Sequence, residues 1–137
     1  MSSERTVHVE LSGESNWSTH ATAGPHTVIN DVPDSLGGKD LAQTPEEMLM
    51  SAYGSCTAMT VAMYARRKEW PLEQVAVDIE QERKPGKPAR LTRTIRLTGA
   101  LDAEQEARLL QIAEKCPVHR ILANNELHSE LSEIEES

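Results

Sequence analysis

The sequence predicts an α+β fold, one domain over residues 1–137 with the element order βββ-α-ββ-α-α-β. Three observations carry this prediction. Short runs near the N-terminus and in the middle alternate apolar and polar residues with period two. A long apolar helix follows the capping sequence Thr44-Pro45-Glu46-Glu47. A stripe of period 3.6 then runs from Ala103 to Ala113. At 137 residues, with no internal repeat and no linker-like stretch, the chain has the size of one domain.

Each element follows from its residues. Thr6 to Leu11 alternates as a half-buried strand, and Trp17 to Ala23 and His26 to Asp31 flank the turn signal Gly24-Pro25, giving a three-strand meander. From Val32 to Gln43 the composition turns to Pro, Asp, Ser and the pair Gly37-Gly38, which reads as a surface loop; loops of that length often serve function. Thr44 at N-cap, Pro45 at N1 and Glu47 at N3 start a helix that runs to about Lys68. Between Met48 and Ala65 it carries no charged side chain on any face, so it should be buried on every face. About 24 residues make a rod of about 36 Å, more than one domain of this size surrounds, and a second subunit is the natural cover.

Val75 to Arg83 and Leu91 to Leu97 alternate again and are joined by Lys84-Pro85-Gly86-Lys87-Pro88, an exposed hairpin. Asp102 caps the amphipathic helix, which ends before Cys116-Pro117. Pro117 suits the first position of a short helix through Leu122. Leu127 to Ile134 alternates weakly as a last strand.

Composition excludes several classes of function. A net charge of −8 repels phosphate backbones and anionic membrane surfaces, so neither nucleic acid nor membrane is an expected partner. The N-terminus has no apolar leader and no segment is long enough to span a bilayer, which points to a cytoplasmic protein. With no Phe and only 38% hydrophobic residues, the core must be built from Leu, Val, Ile and Met, and so lean a core favours a partner subunit. There is no Gly-x-Gly-x-x-Gly, no phosphate loop and no Gly-x-Ser-x-Gly elbow, so no cofactor is expected. Nor is a metal expected: the five His are scattered, and only Cys116 and His119 stand at ligand spacing.

Two cysteines remain as chemistry. Cys56 lies in the middle of the apolar helix, where a free thiol is also an ordinary small core residue. Cys116 precedes a helix, where unpaired N–H groups and the helix dipole favour a thiolate. From the residues alone, both a reactive and an inert reading stay open for each.

The segment Thr44-Pro45-Glu46-Glu47-Met48-Leu49-Met50-Ser51-Ala52-Tyr53-Gly54-Ser55-Cys56 resembles the Pro-Glu-x-Leu-x-x-Ala-x-x-x-Cys helix of the OsmC/Ohr family of thiol peroxidases. About sixty residues later, Ala113-Glu114-Lys115-Cys116-Pro117-Val118 resembles that family's Ala-x-x-Cys-Pro-Val signature. The resemblance implies an OsmC-like fold in an intertwined homodimer, its long central helices packed together and two active sites at the interface. It implies a stress-response antioxidant in which Cys56 reduces an organic hydroperoxide, becomes a sulfenic acid and is resolved by Cys116. A thiol reductant, in some members a lipoylated protein, resets the pair.

The resemblance also assigns Glu46 to the site. In one straight helix Glu46 and Cys56 are separated by about 15 Å along the axis, so Glu46 is expected to reach the partner subunit's cysteine. The family's Arg belongs to the N-terminal strands or loop, yet no Arg occurs between Arg5 and Arg66; His20, His26 and Lys39 are the candidate replacements. The alternative function is an OsmC-like protein that binds a small apolar ligand at the dimer interface without catalysis, lined by Met48, Met50, Met59 and Met63.

Overall fold

The computed structural model describes residues 5–132. Its elements are strands β1 (His8–Leu11), β2 (Thr19–Ala23) and β3 (His26–Asn30), helix α1 (Pro45–Arg67), strands β4 (Leu72–Glu82) and β5 (Arg90–Gly99), and helices α2 (Ala103–Ala113) and α3 (Pro117–Ala123). They fall into two compact units, one of residues up to Ala52 together with Ile79–Leu91, the other of Tyr53–Asp78 and residues from Thr92 onward. Among the described residues no helix is long and apolar enough to cross a membrane.

In the first unit β1, β2 and β3 pair antiparallel in that order, with Val9 opposite Ala21 and Ala21 opposite Val28. β2 begins at Thr19 and not at Trp17 because serines divert the backbone. Ser15 N–H donates to Ser18 Oγ at 3.0 Å and Ser12 N–H to Ser18 C=O at 2.9 Å, which closes a turn in place of ladder bonds. The loop after β3 is built around Asp31, which is buried. Its carboxylate accepts from Ser15 Oγ at 2.9 Å and from the N–H groups of Lys39 and Leu41, each at 3.2 Å. A Cβ at Gly38 would stand 2.1 Å from the Val32 carbonyl, so only glycine closes this loop. The expected capping box starts α1: Glu47 N–H donates to Thr44 Oγ1 at 3.1 Å, and Thr44 N–H to Glu47 Oε1 at 2.9 Å.

The second unit holds the apolar core. Val61 and Ala65 of α1 pack on Leu109 and Ala113 of α2, surrounded by Tyr64, Trp70, Leu72, Val75, Ile95, Leu97 and Leu101. β4 and β5 pair as a two-stranded sheet. Along β5 the odd-numbered residues from Leu91 to Leu97 are half-buried and the even-numbered ones exposed, the alternation read from the sequence. Asp102 caps α2 with a second capping box, Gln105 N–H donating to Asp102 Oδ1 at 2.8 Å.

Two expectations meet the structure differently. In the single chain α1 buries one stripe, Tyr53, Thr57, Val61 and Ala65, spaced four apart. Met59 and Met63 on other faces are 59% and 64% exposed. One chain of this size offers packing surface to one side of a 23-residue helix, not to all of it. The last strand expected over Leu127–Ile134 is not formed in residues 127–132, and 133–134 lie outside the described residues. Its two leucines, Leu127 and Leu131, are exposed, so no apolar burial rewards pairing there.

Leu109 is fully buried at the centre of the core. Leu109→Ala should lower unfolding free energy by about 2–5 kcal/mol, read as a lower urea midpoint with little change in slope.

Candidate active site

The long helix and the α2–α3 elbow bring the two cysteines together. α2 ends at Ala113, a tight turn follows with Cys116 N–H donating to the Ala113 carbonyl at 3.3 Å, and Pro117 opens α3. A residue before proline is pushed into extended backbone, and Cys116 has φ −56° and ψ 126°. That conformation aims its side chain back beneath α1, where it is fully buried. On α1, Thr57 lies on the buried stripe and Cys56, half-buried, stands next to it. Thr57 Oγ1 is 3.9 Å from Cys116 Sγ, and the Cys56 thiol lies against the same sulfur. Both cysteines are free thiols.

The two thiols are not equivalent. Burial pushes the Cys56 thiol up, and donating its hydrogen toward Cys116 adds to this. Burial opposes ionisation of Cys116 as well. The Thr57 hydroxyl stands 3.9 Å from its sulfur, however, and with the nearby Cys56 thiol and the backbone N–H groups of His119 and Val118 it favours the anion and brings Cys116 below the ordinary thiol range. The sulfur makes no formal capping bond to α3; the two N–H groups are near enough to favour its anion all the same.

Around the thiols stands a polar cluster that neither cysteine motif announces. Arg93 of β5 has a side chain only 10% exposed. Its Nη1 donates to Thr57 Oγ1 at 3.1 Å and to the Ala113 carbonyl at 3.3 Å, its Nη2 stands 3.7 Å from Glu114, and its guanidinium lies 5.0 Å from the Tyr53 ring centroid. The Tyr53 hydroxyl and His119 Nδ1 are 2.7 Å apart, and His119 Nε2 is 2.9 Å from Glu114 Oε2. Burial holds the Tyr53 phenol above its ordinary value, with Arg93 opposing. With its proton on Nε2, His119 donates to Glu114 and accepts from Tyr53, so both ring nitrogens are engaged.

Glu46 belongs to the first unit. There its Oε1 is 2.9 Å from Arg83 Nη2. The Gln81 amide completes the arrangement, its nitrogen donating to Glu46 Oε2 at 2.9 Å and its oxygen accepting from Arg83 Nε at 3.0 Å. Of the candidate replacements for the family's Arg, His20 pairs with Glu14 at 2.6 Å, while His26 and Lys39 are exposed. Among the described residues the cation beside the cysteines is Arg93 of β5, outside the N-terminal half where the family pattern places one. A signal for it exists: Arg93 falls in phase with Leu91, Ile95 and Leu97, on the inward side of β5, where a charge needs a reason.

A family model described as OsmC-like protein matches residues 37–132. The chain belongs to the OsmC-like protein family. No curated protein sequence matches it. Its fold is similar to that of an OsmC-like protein from Mycoplasma pneumoniae, at 14% identity and a TM-score of 0.76 over 90% of this chain and 89% of that one. It is also similar to an organic hydroperoxide resistance protein from Legionella pneumophila, at 24% identity and a TM-score of 0.61 over 88% and 90%. A third similar structure is a putative organic hydroperoxide resistance protein from Vibrio cholerae with captopril bound in one of its active sites, at 20% identity and a TM-score of 0.63 over 91% and 89%. This OsmC-like chain carries its two cysteines within one unit, on α1 and at the α2–α3 elbow.

A non-peroxide oxidant tests the adjacency by itself. Diamide should convert the reduced chain to a species lighter by two hydrogens with a Cys56–Cys116 crosslink in peptide maps, and survival of both free thiols under excess diamide would contradict the geometry.

Proposed function

We propose that this OsmC-like protein is a thiol-dependent peroxidase that reduces organic hydroperoxides through Cys56, with Cys116 as the resolving thiol. The observation that carries the reading is the contact of a half-buried thiol on α1 with a fully buried one at the elbow. Cys56 is the one a substrate reaches. Its thiolate attacks the distal peroxide oxygen, the alcohol leaves, and Cys116 closes a disulfide on the resulting sulfenic acid. The hydroperoxide-resistance proteins of similar fold support the substrate class, and captopril, itself a thiol, in the Vibrio cholerae active site suits a centre that exchanges with external thiols. A dithiol reductant, such as a lipoylated protein, returns the pair to the reduced state.

The protein acts as a homodimer in this proposal. Met59, Met63 and Leu49 leave an apolar face of α1 uncovered in the single chain, and a second copy of α1 covers it. Glu46 then completes the partner subunit's site, carrying with it the guanidinium of Arg83, which holds the carboxylate in place of an N-terminal arginine. Sedimentation should give a dimer at micromolar concentration with an interface above about 2,000 Å², whereas a monodisperse monomer would remove this part of the proposal.

Purified protein should consume cumene hydroperoxide faster than hydrogen peroxide. Cys56→Ser should abolish consumption, and Cys116→Ser should allow a single oxidation that dimedone traps at Cys56. Wild-type protein that consumes no hydroperoxide would overturn the reading and leave a ligand-binding role, for which the cleft of about 750 Å³ beside Met59 and Met63 is the candidate.

A further inference from the structure

The half-buried thiol of Cys56 stands at one end of a stripe along α1. Cys56, Thr60, Met63 and Arg67 follow one another at steps of four, three and four, so they share one helix face over about 16 Å of axis. The Thr60 hydroxyl lies against the Cys56 sulfur. A cleft of about 470 Å³ opens beside it, lined by Thr60, Met63, Arg66, Arg67, Lys115 and Pro117, all of the second unit. Thr60 is one turn from Cys56 and Pro117 directly follows Cys116, so one end of the cleft is at the thiol pair. Its size is that of a small-molecule site.

The charge of this cleft is opposite to that of the chain. The protein carries a net charge of −8, yet three cations and no acid line the cleft. Among the described residues the Lys and Arg ion pairs are those of Arg83, Lys84, Arg93 and Arg96, so Arg66, Arg67 and Lys115 are left without a carboxylate. Glu114, next to Lys115, is engaged elsewhere, with His119 at 2.9 Å and Arg93 at 3.7 Å. Glu69 and Glu73 line the larger neighbouring cleft, which shares Met63 and Arg66 with this one. The Arg67 guanidinium lies 5.7 Å from the Tyr64 ring centroid, a contact that orders the group and leaves its charge in place. Three like charges held together repel one another, and an anion seated among them removes that cost. Between the cations and the thiol, Met63, 64% exposed, offers apolar surface, and Pro117 adds to it.

We propose that this cleft is a specificity subsite that takes organic hydroperoxides carrying a carboxylate at the end remote from the O–O bond. The proposal rests on the peroxidase reading above and adds to it the class of substrate. The carboxylate sits among Arg66, Arg67 and Lys115, where a guanidinium fork matches its two oxygens. The apolar chain crosses Met63 and Pro117, and the hydroperoxide reaches Cys56 past Thr60. The Cys56 thiolate then attacks the distal oxygen, which leaves with its hydrogen as part of a sulfenic acid. The O–O bond breaks with its electron pair on the alkoxide, and a solvent proton completes the hydroxy acid. Sulfur has lost two electrons and the peroxide has gained them. The carboxylate takes no part in the chemistry, so its binding serves to hold the reacting end at the thiol.

The test compares ω-hydroperoxydodecanoate with its methyl ester, which has the same apolar body and no charge. Wild-type protein should turn over the acid with kcat/KM about tenfold above the ester's, the sum of three exposed charge contacts, and added sodium chloride should shrink that ratio by screening them. Arg67→Gln combined with Lys115→Gln should bring the ratio close to one, chiefly by raising KM for the acid. Lys87→Gln combined with Arg90→Gln removes the same charge from the β4–β5 hairpin and should leave the ratio high, which separates the cleft from the net charge of the protein. A wild-type ratio near one, with the ester still consumed, overturns the proposal and leaves the peroxidase reading intact. Consumption of neither substrate overturns both. If the Arg67→Gln, Lys115→Gln protein sediments as a monomer and keeps the wild-type ratio, the cations belong to the subunit interface and the proposal falls.

Discussion

The site depends on the placement of Cys116 at the proline-enforced elbow between α2 and α3, beneath the Thr57 turn of α1. Pro117 fixes the extended backbone that turns the thiol inward, and Ala113, buried one turn earlier, lets the elbow approach α1 closely. The same packing layer contains Val61, Ala65 and Leu109, so the contact that juxtaposes the thiols is continuous with the core that stabilises the second unit. Chemistry and stability share one set of side chains, and their separation by mutation is correspondingly narrow.

Electrostatics then distinguishes two thiols that packing alone would leave alike. Cys56 is raised by burial and by its donated hydrogen; Cys116 gains enough donors to overcome the same burial. A guanidinium in this position carries its own desolvation cost. That cost is offset by the Thr57 oxygen, the Ala113 carbonyl, the Tyr53 ring face and a looser pairing with Glu114. Tyr53, His119 and Glu114 extend the cluster to solvent, since Glu114 is largely exposed. The family pattern places a cation in the N-terminal strands; in this chain Arg93 of β5 stands beside Thr57, and Arg83 pairs with Glu46 within the first unit.

Much of this was legible in the residues. Thr44 and Glu47 announce the start of α1 because a capping box is local, satisfied by atoms three residues apart. Cys116-Pro117 announces the elbow for the same reason. The Arg93 cluster was harder to read, since it joins α1, β5 and the α2–α3 turn over separations of 20, 36 and 66 residues, and no local rule links a strand arginine to a helix threonine. Its inward phase was the available clue. Asp31 shows the same limit in the first unit: read as the end of a strand, it is the buried hub of the following loop, because its carboxylate bonds N–H groups eight and ten residues later. The weak alternation after Leu127 misled because period two without a surface to bury is not a strand.

The central claim is that Cys56 and Cys116 act as one two-electron centre. Its most direct test is a quench-flow experiment in which reduced wild-type protein meets a substoichiometric amount of cumene hydroperoxide, with alcohol and disulfide counted in the same sample. The account predicts one alcohol formed and one Cys56–Cys116 disulfide closed for each hydroperoxide consumed. Hydroperoxide recovered intact, with both thiols still open to alkylation after denaturation, would contradict it.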